Sequence, residues 1–562
     1  MLLSKLESML NIRPGEWRET GFFWFFTYMC WFSLALGDSV SDTLFIKRVG
    51  VENLPLMFII CSLVAMPVSL LLALLQGRVE KRQLTAGAGL ISAFAVLGVV
   101  RFIGVESNDS VVGCYALYFV TNLLMFVQPV ILSVLLGTQF NSLKAKRLVP
   151  IVFTGVIAGR VTAGATLSYL ALSYPVPSIL WFWLTIHSLA YIFFFLGSSN
   201  YVKPQIQNFF QRNAEHRQAR FFDRLRIFMR SLTESRLVLF LVLSAVCANF
   251  FYYFAEFQGA SILNAHFSSE NDLALFYGWF TIFASLLAFL FQAFITGNLI
   301  HRMGISNTNL VYPILALSAF AGTFFSFSLW PAVWLKFVQF GLLTALFQPV
   351  SSLFYNALPP REKARIITIS EGVLQPLGTV VTGVLLYYAG TNADLVRIFP
   401  LLATFTWCGI AILMRAPYRD SLLKLLRSSS LDFFNKGDLQ KLNLDRNTFN
   451  MLLGHLDGSD EETSVLIVQL IISNCDRGGR EQMMHRIGSF SDERKIELLR
   501  QVELPVDHFA AEFLFNCLDS SNIELQSQAL KAMSRFPSSP RLRQRVTSFI
   551  SSDSEQLRCI AA

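Results

Sequence analysis

The sequence predicts an all-α membrane protein of twelve spanning helices, followed by a soluble helical domain. Of the 562 residues, 53% are hydrophobic and only 15% are charged, whereas soluble domains carry about 25% charged residues. Twelve apolar stretches are each about 20 residues long, which is enough to cross roughly 30 Å of bilayer hydrocarbon as a helix. All nine Trp and all fifteen Tyr lie at or before Tyr418, which marks the end of the membrane part.

The positions of the apolar stretches divide the chain into five parts. The stretches are centred near Phe32, Val64, Leu90, Met125, Ile157, Ile186, Leu243, Ala284, Leu317, Leu343, Val380 and Phe405. We therefore predict an interfacial amphipathic helix at 1–16, six-helix bundles at 17–197 and 236–417, a basic cytoplasmic linker at 198–235, and helical repeats at 418–562. The interfacial helix at 1–16 is predicted because one helical face carries Leu2, Leu3, Leu6, Met9 and Leu10.

The distribution of charge predicts the orientation of the membrane part. Residues 1–420 have a net charge of +10 and residues 421–562 a net charge of −2. The even-numbered connections between spans hold 18 Lys and Arg and the odd-numbered ones hold four, which places the even connections and both termini in the cytoplasm. The basic balance thus reports topology and does not call for nucleic acid as a partner. The sequence shows no cleavable signal or plant-type transit peptide, which favours a bacterial inner membrane.

An internal repeat relates the two predicted bundles. A shift of 219 residues brings Gly159 onto Gly378 and Gly164 onto Gly383, so that helices 5 and 11 share a small-residue pattern suited to close packing. Two parallel six-helix repeats describe the major facilitator architecture, in which a solute binds near the bilayer midplane between two halves that give alternating access. We therefore expect a 12-helix major facilitator fold with membrane lipid around it.

Six charged side chains lie inside predicted spans, where burial of a charge costs at least about 2.5–3.5 kcal/mol. The repeat places Glu256 opposite Asp38, which suggests an acidic pair that binds a cationic group or carries a coupling proton. The alternative is a structural ion pair with Arg160 or Lys336, or a position in interfacial water. The predicted substrate or proton-coupling residues are Asp38, Asp42, Arg160, Glu256, Lys336 and Glu371, and the predicted polar residues of the cavity are Asn122, Gln128, Asn249, Gln258, Gln339 and Gln348.

The sequence gives no sign of catalysis. It contains no phosphate-binding glycine loop, no metal-spaced His/Cys cluster and no nucleophile motif. We therefore expect no enzyme activity, no cofactor and no metal, and we interpret the eight cysteines as packing residues. The expected ligand is a small polar or charged solute.

Three groups of residues in the membrane part follow the pattern of a known family. They are 42–44 with 49–52, then 145–147 with Pro150, Gly155 and Gly159, then Phe347, Pro349 and Tyr355 with Glu371 and Gly378. Through them residues 15–420 resemble the nucleotide translocase family, the ATP/ADP exchangers of plastids and intracellular bacteria. The resemblance implies a transporter fold, and it is closest to bacterial members that carry HEAT-like repeats.

The chain departs from this family at the positions of its lysines. Where the family has lysines in helices 1 and 11, this chain has Ser41 and Thr379, and the family's aspartate, lysine and glutamate in helix 10 are replaced by Gln348, Ser351 and Ser352. The three or four negative charges of a nucleotide would then be met by Arg160 and Lys336 alone. A nucleotide is thus one possible solute among others.

The residues after Tyr418 predict a stack of helix pairs. An apolar residue followed by a small, polar turn recurs at Leu456, Ile487, Leu518 and Ile550, at spacings of 31, 31 and 32 residues. This period is typical of an α-solenoid of HEAT type, which binds protein partners through its exposed faces. Two functions remain open: a secondary transporter with a regulatory or docking domain, or a transporter-derived membrane scaffold or sensor that does not transport.

Overall fold

The structure is a computed structural model. It describes residues 16–75, 79–105, 111–139, 142–202, 235–358, 374–390, 392–427, 461–474, 477–502, 504–536 and 540–550, with a few single residues and pairs between them. Within these ranges the regular elements are helices and no strand occurs, which confirms the all-α class. The predicted interfacial helix and most of the predicted basic linker lie outside the described residues.

The first six membrane helices follow one another with short connections. They are α1 (Trp17–Leu44), α2 (Leu54–Leu75), α3 (Lys81–Val105), α4 (Val111–Gln139), α5 (Ser142–Ser173) and α6 (Val176–Tyr201). A π-helical turn at Phe45–Val49 extends α1, and Gly50 then has a φ of 98°. Glycine adopts this conformation without the steric strain of a Cβ atom, so Gly50 allows the chain to turn from α1 into α2.

A second group of six membrane helices follows along the chain. It comprises α7 (Arg236–His266), α8 (Glu270–Leu290), α9 (Gly297–Phe325), α10 (Leu329–Phe337), α11 (Gln375–Ala389) and α12 (Ala393–Leu413). Two of these helices continue into π-helical segments, α8 into Phe291–Thr296 and α10 into Val338–Phe347, after which Gln348–Phe354 is α-helical again. The Ser269 hydroxyl caps α8 by accepting a hydrogen bond from the backbone N–H of Asp272 at 3.0 Å.

Ten helical stretches of the described residues are long and apolar enough to cross a membrane. One of them, Glu270–Phe325, has 56 residues and contains two of the twelve predicted centres, Ala284 and Leu317. The backbone of Gly304 has a φ of 76° inside it, which breaks the helical path. The centre predicted near Val380 lies in α11, whose 15 residues are shorter than a usual span. The number of twelve therefore stays a prediction.

Glycines allow the membrane helices to cross at backbone contact. A Cβ atom on Gly159 of α5 would lie 2.6 Å from the carbonyl oxygen of Tyr28 in α1. A Cβ atom on Gly164 would lie 2.5 Å from the carbonyl oxygen of Gly278 in α8. Helix α5 thus packs tightly on α1 within the first half and on α8 of the second half, as small residues in membrane helices permit.

A second compact unit consists of residues 415–562 together with 297–308 and 352–363. Its helices are α13 (Arg415–Arg427), α14 (Glu461–Asn474), α15 (Arg477–Gly488), α16 (Asp492–Gln501), α17 (His508–Leu518), α18 (Ile523–Met533) and α19 (Pro540–Ile550). Helix α14 packs on α16, α15 on α17, and α16 on α18. This alternation is the contact pattern of stacked helix pairs, while the HEAT type stays a prediction.

The described core of this second unit is apolar and includes a cysteine. Its fully buried residues, with an exposed fraction of 0%, include Met483, Ile487, Leu514 and Leu525. Cys517 lies in the same core, and burial raises the pKa of its thiol to about 12. A thiol that stays protonated at neutral pH is unreactive, which agrees with the interpretation of this cysteine as a packing residue.

Candidate functional site

Five of the predicted intramembrane charges lie close to one another. Asp38 interacts electrostatically with Glu256, Lys336 and Arg160, and Asp42 interacts with Asp38, Glu256 and Lys336. We call these five residues the charged cluster. Helices α1 and α5 of the first half and α7 and α10 of the second half supply them, so the charged cluster lies where the two halves meet.

Within the charged cluster, Glu256 contacts one side chain of α10 and one of the π-helical segment that follows it. The Lys336 ammonium lies 2.5 Å from Oε1 of Glu256, and Gln339 Nε2 donates to Oε2 at 2.8 Å. Gln339 also donates to the carbonyl oxygen of Tyr252 at 3.0 Å. The side chains of Lys336 and Glu256 are 7% and 16% exposed. Of the possibilities that the sequence left open for Glu256, the structure shows the ion pair with Lys336.

A glycine of α7 provides room for the lysine of this pair. A Cβ atom on Gly259 would lie 2.9 Å from Cε and 3.3 Å from Cγ of Lys336. The aliphatic stem of Lys336 therefore lies across the backbone of α7 and reaches Glu256, one turn away. The π-helical segment Val338–Phe347 begins directly after this contact, and such segments are frequent at functional sites.

Arg160 lies between aromatic rings of the two halves. Its guanidinium carbon is 4.6 Å from the ring centroid of Trp31 in α1 and 4.6 Å from that of Phe340 in the π-helical segment after α10. Both distances are within the range of a cation–π interaction. Among the residues that the structure describes, Arg160 has no hydrogen-bond acceptor and no ion-pair partner. Its N–H groups are therefore open to an added acceptor.

The two aspartates of α1 also lack described partners. Asp38 and Asp42 are partly buried, and neither forms an ion pair or a hydrogen bond with a residue in the described ranges. The hydroxyls of Ser41 and Tyr277 are buried and have no hydrogen-bond partner there either. Tyr277 of α8 interacts electrostatically with Asp42, Glu256 and Asp38. Two carboxylates and a nearby tyrosine hydroxyl thus remain unpaired in the described part of the cluster.

Tyr277 is a residue that the sequence did not single out. Aromatic residues in membrane helices are usually packing or interface residues, and α8 carries no charge near Tyr277 that would have drawn attention to it. Tyr277 directly precedes Gly278, at which α8 crosses α5 closely beside Gly164. The available signal was the glycine pattern of α5, which indicated close packing but not the neighbouring helix.

Two of the predicted cavity amides join helices inside the second half. Asn249 Nδ2 lies 3.1 Å from Oγ1 of Thr379 in α11, the position at which the resembled family has a lysine. Gln258 Nε2 donates to the carbonyl oxygen of Val396 in α12 at 2.6 Å. These bonds stabilise the packing of α7 on its neighbours.

The remaining predicted site residues have varied surroundings. Asn122 donates to the carbonyl oxygen of Tyr118 on its own helix at 2.9 Å, Gln128 is buried in α4, and Gln348 is exposed. Glu371 lies outside the described residues. A lining role for these amides stays a prediction.

Polar contacts join the two halves where α1 ends and where α7 connects to α8. Arg48 donates to both carboxylate oxygens of Glu270, at 2.6 and 2.9 Å. Lys47 donates to Oδ1 of Asn264 at 2.9 Å and to the carbonyl oxygen of Phe267. We call the contacts of Lys47 and Arg48 with the second half the latch. The sequence had indicated Lys47 and Arg48 only as charges of a connection.

A further amide contact joins the halves at the end of α5. Asn271 Nδ2 donates to the carbonyl oxygens of Ala171 and Tyr174, at 2.7 and 3.0 Å. Asn271 follows Glu270 of the latch directly. The described polar contacts of this region thus tie α1 and α5 to the start of α8.

Comparison with known proteins connects part of the chain with a transporter family. Residues 151–350 match the family model of the TLC ATP/ADP transporter. No curated protein sequence matches the chain.

Solved structures of transporters are similar to the chain in fold. The nucleoside transporter NupG is 12% identical, with a TM-score of 0.53 over 71% of this chain and 99% of that one. A mutant of the peptide transporter POT is 13% identical, with a TM-score of 0.52 over 70% of this chain and 95% of that one. A POT family transporter bound to a thioalcohol-conjugated peptide is 11% identical, with a TM-score of 0.50 over 72% and 96%.

The class of protein follows from the fold and these similarities. The chain is a multi-pass, all-helical membrane protein whose fold is similar to those of the solved transporters NupG and POT. The match to the TLC ATP/ADP transporter model over residues 151–350 supports a membrane transporter with a small-molecule solute.

Proposed function

We propose that the chain is a secondary transporter that moves a small polar or charged solute by alternating access, with the charged cluster as its solute site. The observation that carries this proposal is that charges from both halves gather at one place in the membrane part. Each charge in a membrane helix is costly, and a protein that served only as a scaffold would have no use for Asp38 and Asp42. The cluster contains residues of α1, α5, α7 and α10, so movement of one half relative to the other would change its geometry.

The latch supports alternating access. By the predicted topology, the ends of α1 and α7 that carry the latch face away from the cytoplasm. The side chains of Arg48 and Glu270 are 14% and 25% exposed, so water can solvate both charges when the pair separates. Separation of such a pair costs less than separation of a fully buried one. A latch of this kind can hold the outer side closed and still open in each cycle.

Breaking the latch is expected to open the outer side. In Arg48→Gln, loss of the ion pair should destabilise the closed state by about 1 kcal/mol, which lowers the ratio of closed to open molecules about fivefold. Nitroxide labels on cysteines placed at Tyr174 and Ser268 report the separation of the halves, as measured by double electron–electron resonance. We expect a larger population at long distance in Arg48→Gln and in Glu270→Gln.

The charge-reversed pair is the control for this experiment. Arg48→Glu combined with Glu270→Arg restores an ion pair of opposite direction, and its distance distribution should return toward that of the wild type. Unchanged distributions in both single variants would show that the Arg48–Glu270 pair of the latch does not hold the halves together.

Removal of the Asp38 charge is expected to abolish transport without unfolding the protein. Asp38 has no described partner, so Asp38→Asn leaves no buried charge unpaired. The wild-type chain in vesicles should accumulate at least one component of a mixture of nucleosides, nucleotides, amino acids, sugars and organic cations. Uptake of that component should fall at least tenfold in Asp38→Asn, which corresponds to about 1.4 kcal/mol of lost interaction.

Asp394→Asn serves as the matched control. It makes the same substitution at an exposed position in the first turn of α12 and should transport as well as the wild type. If the wild type accumulates nothing beyond empty vesicles, the transport proposal is wrong and a membrane scaffold or sensor becomes the better interpretation.

We further propose a bacterial inner membrane with both termini in the cytoplasm, and a docking or regulatory role for residues 418–562. The excess of Lys and Arg in the even connections supports this orientation. The stacked helices α14 to α18 support the role, because stacks of this kind present long exposed faces to protein partners.

A further inference from the structure

We infer that the solute is a small zwitterion, with an ammonium group that binds Asp38 and Asp42 and a carboxylate that binds Arg160. This inference rests on the proposed transport function and names the chemical class of its solute. It follows from three features of the charged cluster: its balance of charge, its unpaired acceptors and its unpaired guanidinium.

The balance of charge in the cluster disfavours a polyanion. Asp38, Asp42 and Glu256 are acidic, and Arg160 and Lys336 are basic, so the formal net charge of the five is −1. Glu256 already engages Lys336 at 2.5 Å. A nucleotide would therefore meet two carboxylates that lack partners among the described residues, and one available cation. Like charges at short range in a membrane interior repel strongly, because the effective dielectric constant is low.

The acidic end of the cluster fits an ammonium group. An ammonium has three N–H donors and no acceptor. Asp38 and Asp42 lie on one face of α1, one helical turn apart, and no described residue donates to them. Tyr277 has a buried hydroxyl without a described partner that interacts electrostatically with both aspartates. Two carboxylates and one hydroxyl can accept the three N–H groups of a single ammonium.

The basic end fits a carboxylate. The rings of Trp31 and Phe340 are both 4.6 Å from the Arg160 guanidinium carbon and cover the guanidinium group. Hydrogen bonds can then form only in the guanidinium plane, at its N–H edges. A planar carboxylate is the acceptor that suits such an edge, because it takes two parallel hydrogen bonds.

Both ends belong to the charged cluster. Asp38 and Arg160 interact electrostatically but do not form an ion pair. A molecule with an ammonium and a carboxylate would pair with the aspartates and with Arg160, and it would leave the net charge of the site unchanged. A ligand with only the ammonium or only the carboxylate would add an uncompensated charge to the site, so we expect both groups to be required for binding.

The test uses the purified full-length chain and measures its unfolding temperature with defined compounds. The compounds are alanine, serine and leucine, their amides (which keep only the ammonium), their N-acetyl forms (which keep only the carboxylate), and ATP. A ligand that binds only the native state raises the unfolding temperature. We expect at least one of the three amino acids to raise it by about 3 °C and its amide, its N-acetyl form and ATP to have no effect.

Variants of the two ends sharpen the result. Arg160→Lys keeps the charge but loses the planar N–H edge, and Asp38→Asn loses the carboxylate; each should weaken the apparent affinity at least tenfold. Arg397→Lys is the matched control, because Arg397 also lies over an aromatic ring, 4.8 Å from that of Phe327, outside the cluster. It should respond to the amino acid as the wild type does.

The outcomes separate this inference from the transport proposal. An equal response to an amide would make the solute an organic cation, and a response to ATP would make it an anion; either would overturn the inference. It would also be wrong if no amino acid had an effect. If vesicles nevertheless accumulate another solute from the mixture, transport stands and only the zwitterion inference falls.

Discussion

Replacement of Gly159 by alanine is expected to destabilise the first six-helix bundle strongly. The added Cβ atom would lie 2.6 Å from the carbonyl oxygen of Tyr28 and 2.8 Å from the backbone nitrogen of Phe32. Both atoms belong to the backbone of α1, so no side-chain rotation can relieve the contact. Helices α1 and α5 must move apart, which costs about 1–3 kcal/mol for overpacking. We expect a decrease of about 5 °C in the unfolding temperature of the purified chain.

The same substitution at an open position is the control. A Cβ atom on Gly98 of α3 would have no heavy atom within 4 Å, and alanine favours helix over glycine by nearly 1 kcal/mol. Gly98→Ala should therefore be neutral or slightly stabilising. If Gly159→Ala unfolds at the same temperature as Gly98→Ala, α1 and α5 do not meet at backbone contact.

A loss of stability at Gly159 should extend to the charged cluster. Trp31, which covers one face of Arg160, belongs to the segment of α1 that Gly159 contacts. Separation of α1 from α5 would move this ring away from Arg160, which follows Gly159 in α5. The variant should therefore bind its solute more weakly even at temperatures where it remains folded.

The sequence could predict these close contacts only in part. The repeat of Gly159 and Gly164 at Gly378 and Gly383 indicated close helix packing, and the structure shows it at both Gly159 and Gly164. The partners of these glycines could not be read from the pattern, because spacing along one helix does not specify which neighbouring helix lies against it. In the structure Gly159 faces α1 of its own half, and Gly164 faces α8 of the other half.

The intramembrane charges were predictable as residues, but their pairing was not. Hydropathy alone locates Asp38, Glu256 and Lys336 inside apolar stretches, and the repeat places Asp38 and Glu256 at corresponding positions. Pairing depends on the rotation of each helix about its axis and on local space. Gly259 makes that space for Lys336 beside Glu256. The two acidic residues are therefore not equivalent, since only Glu256 has a cationic partner among the described residues.

The sequence could not determine the number of spans, for a geometric reason. Hydropathy separates the stretches around Ala284 and Leu317, whereas Glu270–Phe325 forms a nearly continuous helical run of 56 residues. At 1.5 Å per residue, such a run is more than twice as long as the hydrocarbon is thick. The break at Gly304, with its φ of 76°, is a backbone feature that apolar periodicity does not indicate.

Removal of the lysine from the Lys336–Glu256 pair is expected to have the largest effect on stability. In Lys336→Met, the one partner that the Glu256 carboxylate keeps among the described residues is Gln339, whose Nε2 donates to it at 2.8 Å. Glu256 is 16% exposed, so water replaces the lost ammonium poorly. Loss of one partner of a buried pair costs about 3–5 kcal/mol, and we expect the unfolding temperature to fall by about 8 °C.

The double variant decides whether this loss comes from the unpaired charge. Lys336→Met with Glu256→Gln removes both charges, keeps an acceptor for Gln339 and keeps a side chain of similar length across Gly259. Neutral replacement of both partners is often harmless, so the double variant should unfold within about 2 °C of the wild type. A double variant as unstable as Lys336→Met would mean that the lysine stem, and not its charge, holds α10 against α7.

Transport by the stable double variant then assigns the pair its role. If the pair only fixes α10 against α7, the double variant should accumulate the solute of the wild type at a similar rate, since Asp38, Asp42 and Arg160 are unchanged. If it accumulates none while it remains folded, the Lys336–Glu256 pair itself takes part in binding or proton coupling. The zwitterion inference assigns solute binding to the other three charges, and it therefore requires the first of these results.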